Sequence, residues 1–468
     1  MTLTDGTPST VAAYEPPPGY DEAFSAPGTP RPHYADLFAA LGACDLEAVA
    51  ERITAHMRSS GATFGGGEVF RLDPVPRLLT AVEWSQLEEG LAQRVRALDM
   101  FVADVYGERE AVVQGLLPEH VLEGIEFLED LREVPPPTGS WIGIAGLDVV
   151  RDAEGRFRVL EDNVRTPSGM AYALVARHAT AAHLPYDGRW RNIAAELATY
   201  LRLVIAAARP EPEAGGIAVL LTDGPGNAAW YEHGVLAEMG ELRLTHPDEL
   251  VVVGDRLALR DGRRVQVVYR RTNEDRLRDD GGGLTGVGEL LWPALRAGTI
   301  GIVNAFGTGV ADDKRVYPYV DDLVRFYLGE EPLVRSVATL DLADPRLRAE
   351  ALERLDELVV KPRGGFGGMG VVIGPAASSA KLREARRAIE DRPGDFVAQE
   401  TIRLSTHPTV VDGRLVPRHV DVRPFVFFDG TRARALPGGL TRVALREGEL
   451  VVNSSQGGGG KDTWVLPS

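Results

Sequence analysis

One lysine and a run of glycines form the clearest candidate for phosphate chemistry in this sequence. Residues 358–374 read LVVKPRGGFGGMGVVIG, in which Lys361 precedes Gly364, Gly365, Gly367, Gly368 and Gly370. Glycine backbone N–H groups approach phosphate oxygens without side chains in the way, and a lysine ammonium offsets phosphate charge. Part of the run also fits the pattern G-x-G-x-x-G. The stretch therefore predicts a site for a phosphorylated ligand.

The order of these residues argues against two common phosphate loops. A dinucleotide fingerprint needs a helix directly after its glycines, whereas VVIG follows here and predicts a strand. A Walker A loop needs Gly-Lys-Ser/Thr after its glycines, whereas Lys361 comes before them. What remains is a strand, a glycine loop and a second strand, a hairpin whose tip can close over phosphates. This segment alone leaves open a long flexible hairpin tip that binds no ligand.

Three oxygen-bearing side chains form a second candidate site about 200 residues earlier. The sequence predicts that 147–151 and 156–163 pair as a hairpin, with DAEG as its turn. Glu161 and Asn163 would then share one face of a strand, with Asp148 beside them on the neighbouring strand. Two carboxylates and an amide oxygen suit Mg²⁺, which completes its shell with water and phosphate oxygens. A solvated acidic face is the alternative that the residues leave open.

Two neighbours of this trio are assigned by the same alternation of side chains. Asp162 should face the other way from Glu161, because successive side chains in a strand point to opposite faces. Arg165 follows on the same face as Asn163 and could bind a phosphate with two hydrogen bonds. The sequence thus predicts positive charge beside the acidic trio.

Lysine is rare in this chain, which makes each lysine informative. The chain has 51 lysine and arginine residues, and lysine occurs only at Lys314, Lys361, Lys381 and Lys461. An arginine cannot simply replace a lysine where a site needs a compact ammonium. Lys381 lies in a polar, helix-like run, and we expect it to be a surface lysine without a specific role. The other lysines become candidates for specific sites.

The elements that must position these residues are predicted from periodicity and composition. In SQLEEGLAQRVRALDMFVADVYG the apolar residues recur every three or four positions, which predicts a helix with Ser85 and Glu88 as its capping box. From 216 onward a strand, a glycine-rich turn and a helix precede short strands, which is typical of a small α/β domain. We predict a flexible Pro-rich tail at 1–32, a helical region at 33–135, a segment with the acidic hairpin at 136–210, the small α/β domain at 211–305 and the glycine-loop region at 306–468.

Overall composition limits the partners and the compartment. The chain has 468 residues, a formal net charge of −17 and a single cysteine, Cys44. Nucleic acids and anionic membranes would repel such a chain, so we expect neither as a partner. A single cysteine excludes an internal disulfide and fits a reducing compartment. Without a signal pattern or a long apolar run, the sequence predicts a soluble cytoplasmic protein.

The two candidate sites together resemble the ATP-grasp superfamily. Ordinary ATP-grasp enzymes carry the metal ligands after the glycine loop, whereas this chain carries them before it. That order resembles the circularly permuted ATP-grasp proteins, whose relatives include glutathionylspermidine synthetase-like ligases. The strings EDNVRTPSGMAY, NAFGTGVADDKRVYPYV, RHVDVRPFV, PGGLTRVAL and VVNSSQGGGGKDTWVL are similar to that family. The resemblance runs from about residue 19 to the end of the chain.

The resemblance implies a fold and a set of site residues. The implied fold is α+β, a circularly permuted ATP-grasp fold with a small α/β pre-ATP-grasp domain and an N-terminal helical region. For the nucleotide, the resemblance implies that Lys314 and Lys361 bind it, that a loop at 364–370 covers the β- and γ-phosphates, and that Gln399 and Glu400 contact adenine. The implied magnesium ligands are Asp148, Glu161 and Asn163. Arg442 would neutralise the transferring phosphate, and Arg165, Arg423 and Asn453 would assist in the same pocket. No role is implied for Lys461.

The resemblance also implies a reaction and its reactants. We expect an ATP- and Mg²⁺-dependent ligase that joins a carboxylate to an amine through an acyl phosphate. The substrates would be small molecules or peptides that carry those two groups. Alternatives that stay open are transfer of phosphate to a different acceptor and a module that binds ATP without turnover. Arg270 and Arg271, in YRRTNEDR, could hold a carboxylate or could cap the sheet.

Overall fold

The computed structural model describes residues 10–64, 68–126, 128–272, 276–279, 281–364, 369–444 and 459–468. The helices are α1 Ala35–Leu41, α2 Leu46–Ser59, α3 Ala81–Tyr106, α4 Glu110–Val113, α5 Met170–His183, α6 Ile193–Ala207, α7 Trp230–Met239, α8 Gly286–Arg296, α9 Gly309–Asp312, α10 Val320–Leu328, α11 Pro345–Glu353 and α12 Ser379–Asp391. The strands to β12 are β1 Phe24–Ala26, β2 Thr29–Pro30, β3 Thr63–Phe64, β4 Glu68–Val69, β5 Leu72–Leu79, β6 Ile144–Arg151, β7 Phe157–Asn163, β8 Ile217–Leu221, β9 Arg243–Thr245, β10 Leu250–Val253, β11 Arg256–Leu259 and β12 Arg264–Arg270. The later strands are β13 Gly301–Val303, β14 Thr339–Asp341, β15 Leu358–Pro362, β16 Val372–Ile373, β17 Phe396–Glu400, β18 Thr406–Val411, β19 Arg414–Arg423, β20 Phe425–Phe428, β21 Ala433–Ala435, β22 Leu440–Val443 and β23 Gly459–Val465.

A nine-stranded sheet carries the acidic hairpin and most of the candidate arginines. Its order is β21-β20-β6-β19-β22-β23-β5, with β7 paired to β6 and β18 paired to β19. The pairing of β23 with β5 is parallel, and the pairs of β6 with β7, β19 and β20 are antiparallel. Because β6, β7, β19 and β22 belong to one sheet, segments far apart in sequence meet at the acidic hairpin.

The described residues also form a four-stranded sheet, a six-stranded sheet and the two-stranded sheets β1-β2 and β3-β4. A four-stranded antiparallel sheet, β14-β17-β15-β16, packs apolar residues such as Leu358, Val360 and Ala398 against Ala351 and Ile389 of α11 and α12. In the six-stranded sheet, β8 and β13 pair with β12 in parallel, β9 pairs with β8 in parallel, and β10 and β11 extend it as antiparallel strands. The core of this sheet is mainly parallel, as expected, and the bounds 211–305 of a separate domain stay a prediction. The mixed helix and strand content confirms the α+β class.

The strands on either side of the glycine-rich stretch pair as predicted. Strands β15 and β16 pair antiparallel, with Val359 opposite Ile373 and Val360 opposite Val372. Gly370 has φ of +73°, and a Cβ there would lie 3.0 Å from the Pro362 ring, so this return turn favours glycine. The loop glycines Gly365, Gly367 and Gly368 lie outside the described residues. The hairpin is therefore confirmed at its base.

The long helix α3 begins earlier than its predicted capping box. The Thr80 side chain accepts a hydrogen bond from the Glu83 backbone N–H, and the Glu83 carboxylate accepts one from the Thr80 N–H, 2.9 Å away. The box predicted at Ser85 and Glu88 is therefore wrong. Glu88 accepts a hydrogen bond from the Ala435 backbone instead. The sequence pattern did not reveal where α3 begins, because β5 leads almost directly into the helix.

The described part of the predicted N-terminal tail is packed into the core. Tyr14 and Phe24 are each about 1% exposed, and the Tyr14 hydroxyl donates to the Asp21 carboxylate at 2.6 Å. Glu22 forms a buried ion pair with Arg77 of β5 at 2.5 Å. The expected flexible tail at 1–32 is thus wrong for 10–32. Its Pro- and Gly-rich composition obscured these buried aromatic and charged residues.

Lys461 also belongs to the interior. Its ammonium is fully buried, forms an ion pair with Asp73 of β5, and donates to the Pro408 carbonyl at 3.0 Å. Lys461 therefore ties β23 to β5 and to β18.

Among the described helices, none is long and apolar enough to cross a membrane.

Candidate nucleotide and metal site

A cleft between the nine-stranded and the four-stranded sheets collects several of the predicted residues. It encloses about 320 Å³, including its open mouth. Its lining residues are Leu160, Glu161, Asp162, Ala311, Asp312, Asp313, Lys314, Tyr317, Thr339, Lys361, Val397 and Gln399. Glu161, Lys314, Lys361 and Gln399 were predicted for the nucleotide and metal sites. The fold thus brings them together from β7, the 313–316 loop, β15 and β17.

Two lysines face the acidic hairpin inside this cleft. The Lys314 Nζ lies 2.8 Å from the Glu161 Oε1, and the Lys361 Nζ lies 3.5 Å from the Leu160 carbonyl oxygen. Desolvation lowers the pKa of Lys361 to about 8; nearby Glu161 opposes this shift and the Lys314 charge adds to it. A desolvated pair of cations beside open space is a favourable place for an anion with several charges, such as a triphosphate.

The hairpin of β6 and β7 has the predicted pairing, with one bulge. Asp148 lies directly opposite Glu161, and Gly146 lies opposite Asn163. The register then shifts, because Val149 lies opposite Val159, which makes Leu160 the extra residue of a β-bulge. The bulge lies at the carbonyl that receives Lys361. The local sequence therefore both aligns the two carboxylates and turns a backbone oxygen toward the cleft.

Two arginines hold the Asp148 carboxylate. Arg423 of β19 donates from Nε to Oδ1 at 2.6 Å and from Nη2 to Oδ2 at 2.9 Å. Arg442 of β22 reaches the same Oδ2 at 2.9 Å and also binds Asp421 at 2.5 Å. Burial raises the pKa of Asp148, but the two guanidinium groups outweigh it and leave the pKa well below its ordinary value. Asp148 is therefore ionised in the folded protein.

The trio of oxygen donors fits a hard divalent cation. A carboxylate offers about four acceptor positions, and the described contacts of Asp148 use three of them. The Asn163 Nδ2 is buried without a hydrogen-bond partner in the described structure, but it is a donor, so Asn163 would bind a cation through its amide oxygen. The described residues hold no group of three or more His, Cys, Asp or Glu arranged as a metal site. A cation here would depend on Asn163 and on phosphate oxygens, as Mg²⁺ in nucleotide sites does.

Arg165 lies next to the trio but is bound by acidic groups. Its Nη1 lies 2.9 Å from the Glu126 Oε2, and its Nε lies 3.1 Å from the Asp312 Oδ1. Asp312 also accepts the backbone N–H groups of Val164 and Arg165, at 2.7 and 3.1 Å. Arg165 is not among the residues that line the cleft. Its contact with phosphate stays a prediction.

Gln399 and Glu400 lie on opposite faces of β17. Gln399 lines the cleft and donates from Nε2 to the Thr339 Oγ1 at 3.0 Å. The Glu400 carboxylate lies 2.9 Å from Arg354 and does not line the cleft. The side-chain contact predicted between Glu400 and the nucleotide is therefore not supported by its position. The alternation of side chains along a strand is the reason.

Several residues of the cleft and its rim were not predicted. Tyr317 and Thr339 line the cleft, and Arg363 binds Asp313, beside Lys314, at 2.6 Å. Asn304 is buried, donates to the Ile144 and Val164 carbonyls, and accepts the Ile144 N–H. Asn304 thus clamps the start of β6 to the end of β7. Of these residues, Tyr317 and Asn304 fall in the string NAFGTGVADDKRVYPYV, which carried the signal.

The two arginines of YRRTNEDR, Arg270 and Arg271, make their contacts inside the protein. Arg270 is buried and donates to the Asn304 carbonyl at 2.7 Å and to the Ala305 carbonyl at 3.1 Å. Arg271 is 6% exposed and forms an ion pair with buried Glu232 at 3.1 Å. These contacts favour the structural alternative over a role in holding a substrate carboxylate. The predicted Asn453 lies outside the described residues.

Comparisons with known proteins agree with this arrangement. The family described as circularly permuted ATP-grasp type 2 matches residues 76–444. An uncharacterized protein of Mycobacterium tuberculosis strain H37Rv is 41% identical over 96% of this chain and 84% of its own length. A Synechocystis protein is 38% identical over 97% of this chain and 98% of its own length. These matches span both candidate sites and the sheets that carry them.

Two further similarities differ in what they show. A Frankia casuarinae protein whose name proposes glutamate–cysteine ligase activity is 41% identical over 98% of this chain, which spans 55% of that protein. A glutathione synthetase-like effector from Globodera pallida has a similar structure, with a TM-score of 0.57 over 90% of this chain and 98% of the effector. Its sequence is 11% identical, so this similarity concerns the fold alone.

Proposed function

Because this chain belongs to the circularly permuted ATP-grasp type 2 family, we propose that it is an ATP-dependent ligase that joins a carboxylate to an amine. The observation that carries the proposal is the meeting of Lys314, Lys361 and Glu161 in one cleft, with Asp148 paired to Glu161 across the hairpin. Cations for a triphosphate and oxygens for a divalent cation are what phosphoryl transfer requires.

The proposed reaction has two steps. A carboxylate oxygen of the first substrate attacks the γ-phosphorus of ATP, the bond to the β–γ bridging oxygen breaks, and ADP leaves with that electron pair. The product is an acyl phosphate. The amine of the second substrate then attacks the acyl carbon, phosphate departs, and the amine gives up a proton as the amide forms. No side chain of the protein becomes covalently attached to the substrate.

The side chains of this chain would act by position and charge. Lys314 and Lys361 would bind the phosphates, exchanging their contacts with Glu161 and the Leu160 carbonyl for phosphate oxygens. Arg423 and Arg442 bind Asp148 and would offset charge that develops on the transferring phosphoryl group. Fixed charges in a partly dehydrated cleft act more strongly than the same charges in water.

Glu161, Asn163 and Asp148 are the residues that would hold Mg²⁺. The fit is supported by the pairing of the Asp148 and Glu161 carboxylates across the hairpin. When bound, the cation would neutralise part of the charge on the phosphates. Ion pairs with Lys314, Arg423 and Arg442 balance the two carboxylates without the cation.

The names of related proteins suggest which substrates to test first. The Frankia protein's name proposes glutamate and cysteine as reactants, but this chain corresponds to 55% of that protein. Glutamate with cysteine is therefore the first pair to test, followed by pooled amino acids, dipeptides and polyamines.

The product pattern tests the proposal. The purified protein would be incubated with ATP, Mg²⁺ and substrate pools, and ADP, phosphate and new amides would be quantified by chromatography and mass spectrometry. A ligase releases equal amounts of ADP and phosphate when both a carboxylate and an amine are present. Release of ADP without phosphate would identify a phosphotransferase, and saturable ATP binding without turnover in every pool would identify a binding module.

A matched pair of variants ties the activity to the cleft. Glu161→Gln removes the carboxylate that pairs with Lys314, whereas Glu154→Gln changes an exposed carboxylate at the turn of the same hairpin. We expect Glu161→Gln to abolish turnover and Glu154→Gln to retain it. Equal activity of both variants would refute this site.

A further inference from the structure

A buried arginine from the N-terminal helical region reaches the strand that carries the proposed metal ligands. Arg94 lies on α3 and is 1% exposed. Its Nε and Nη2 donate to the two carboxylate oxygens of Asp162, at 2.7 and 2.6 Å. Asp162 stands between Glu161 and Asn163 in β7 and is 4% exposed. The pair is therefore enclosed on the face of β7 opposite to Glu161 and Asn163.

The same guanidinium also fixes a second segment. The Arg94 Nη1 donates to the Ser336 Oγ at 2.9 Å and lies 3.4 Å from Asp321 of α10. Asp321 in turn accepts the Ser336 backbone N–H at 3.1 Å. Burial opposes the charge of Arg94, but the Asp162 carboxylate outweighs it and raises the pKa above its ordinary value. Arg94 is thus a charged link between α3, β7 and the segment around Ser336.

That segment supports β7 where the strand is bulged. Val159 donates its N–H to the Arg335 carbonyl and accepts the Val337 N–H, each at 3.0 Å. The Tyr317 hydroxyl donates to the Val159 carbonyl at 2.5 Å and accepts the Val337 N–H at 2.8 Å. These contacts hold the residue directly before the Leu160 bulge. Arg94 holds the residues after the bulge, through Asp162.

The bulge decides which side chains reach the cleft. In a strand, a shift of register by one residue turns each side chain to the other face. Here the register after Leu160 places Glu161 opposite Asp148, and Asp162 faces away from Asp148 and toward Arg94. An unpaired Asp162 carboxylate in the interior would be costly, so the ion pair selects this register over the shifted one.

We propose that Arg94 is a positioning residue for the divalent cation, because it locks the bulged register of β7 and so places Glu161 in the cleft, opposite Asp148. Arg94 does not itself line the cleft or touch the predicted ligands, and it acts through Asp162. The inference rests on the proposed function, since it assumes a cation held by β7 and nucleotide phosphates. The planar fork of arginine binds both carboxylate oxygens, which the single ammonium of lysine does not reproduce.

Two variants separate this role from simple stability. Arg94→Lys keeps the charge and loses the paired hydrogen bonds. The double variant Arg94→Met with Asp162→Leu removes both charges and keeps the site filled, which often preserves folding. Arg177→Lys is the matched control, because Arg177 forms a buried ion pair with Asp462 at 2.8 Å and does not line the cleft. Thermal unfolding of each protein reports on the fold.

Binding measurements give the decisive readout. Mn²⁺ binding in the presence of ADP would be followed by electron paramagnetic resonance, and ATP binding in EDTA by calorimetry. We expect both Arg94 variants to bind Mn²⁺ about 10- to 100-fold more weakly, as is usual when support for a ligand is lost. Metal-free ATP affinity should change little, and Arg177→Lys should match the wild type in both assays.

The possible failures are distinguishable. If the folded Arg94 variants bind Mn²⁺ with ADP as tightly as the wild type, the positioning role is wrong while the proposed ligase stands. If metal-free ATP binding falls as much as Mn²⁺ binding, Arg94 has a general structural role and the inference is overturned. If the wild type itself shows no Mn²⁺ site with ADP, both the inference and the proposed metal site fail.

Discussion

The Lys314 ammonium lies 2.8 Å from the Glu161 carboxylate, so a cation expected to bind phosphate and an anion expected to bind metal neutralise each other. Both groups are partly shielded from water, with side-chain exposures of 14% and 30%. When both ligands bind, Lys314 would pair with a phosphate of the nucleotide and Glu161 would pair with the divalent cation. The cleft can therefore keep its charges balanced with and without its proposed ligands.

The first prediction concerns the lysine that leads the glycine hairpin. Lys361→Ala should lower ATP affinity roughly 10- to 100-fold, because a hydrogen bond to a charged group contributes about 1.5–3 kcal/mol. Calorimetric titration with ATP measures the change. Lys381→Ala, at an exposed position of α12, is the control and should bind ATP like the wild type. Equal affinities of the two variants would contradict the assignment of Lys361.

The second prediction is a pH dependence from the same lysine. The pKa of Lys361 is lowered from 10.5 to about 8 by desolvation. Between these values the unfolded chain binds more protons than the folded one, so the free energy of unfolding of the ligand-free protein should rise with pH across this window. The gain relative to Lys361→Met should be at most about 3 kcal/mol. Urea unfolding of both proteins from pH 7.5 to 10.5 measures it, and parallel curves would show that the lowered pKa is incorrect.

The third prediction separates the two arginines that hold Asp148. Arg442→Met removes a partner from both Asp148 and Asp421 and should lower the free energy of unfolding by about 3–5 kcal/mol, the usual cost of an uncompensated buried charge. Arg423→Met should cost less, since Asp148 keeps Arg442. Both variants should lose ATP turnover. Denaturant unfolding and product assays check the order, and a larger loss in Arg423→Met would contradict it.

The fourth prediction distinguishes Lys461 from the lysines of the cleft. Lys461→Met leaves the Asp73 carboxylate buried without its ion-pair partner and should destabilise the protein by about 3–5 kcal/mol. ATP affinity should stay unchanged, because Lys461 does not line the cleft. Adding Asp73→Leu should restore much of the stability, since it removes the stranded charge. Weakened ATP binding in a folded Lys461 variant would instead indicate a role in the site.

Local chemistry explains what could be predicted from the sequence. The acidic hairpin has a short turn, and alternation along β7 correctly separated Glu161 from Asp162. The glycine-rich hairpin was predictable for the same reason, because its two strands and its turn are contiguous. Lys314 was assigned through the resemblance, and its place in the cleft depends on a loop that periodicity did not reveal.

Distant partners explain what could not be predicted. Asp73 and Lys461 lie 388 residues apart, and no local pattern joins them. The partners of Asp148 come from β19 and β22, so its low pKa depends on the assembled sheet. The buried segment around Tyr14 looks flexible by composition, since the residues that cover it lie elsewhere in the chain. Strand alternation places the Glu400 side chain on the face of β17 opposite to Gln399, and its contact with the nucleotide stays a prediction.

The parallel pairing of β5 with β23 has a consequence for the newborn chain. Strand β5 ends at Leu79 and β23 begins at Gly459, so the ribosome makes about 380 residues between them, which takes roughly 20–80 s. During that time β5 has no partner at this edge, and its two prolines and the charged Asp73 and Arg77 are residues that oppose aggregation at an open strand edge. Helix α2, which packs against β5, is made before it and can cover one face. The edge of β5 that pairs with β23 stays unpaired until β23 emerges from the ribosomal exit tunnel.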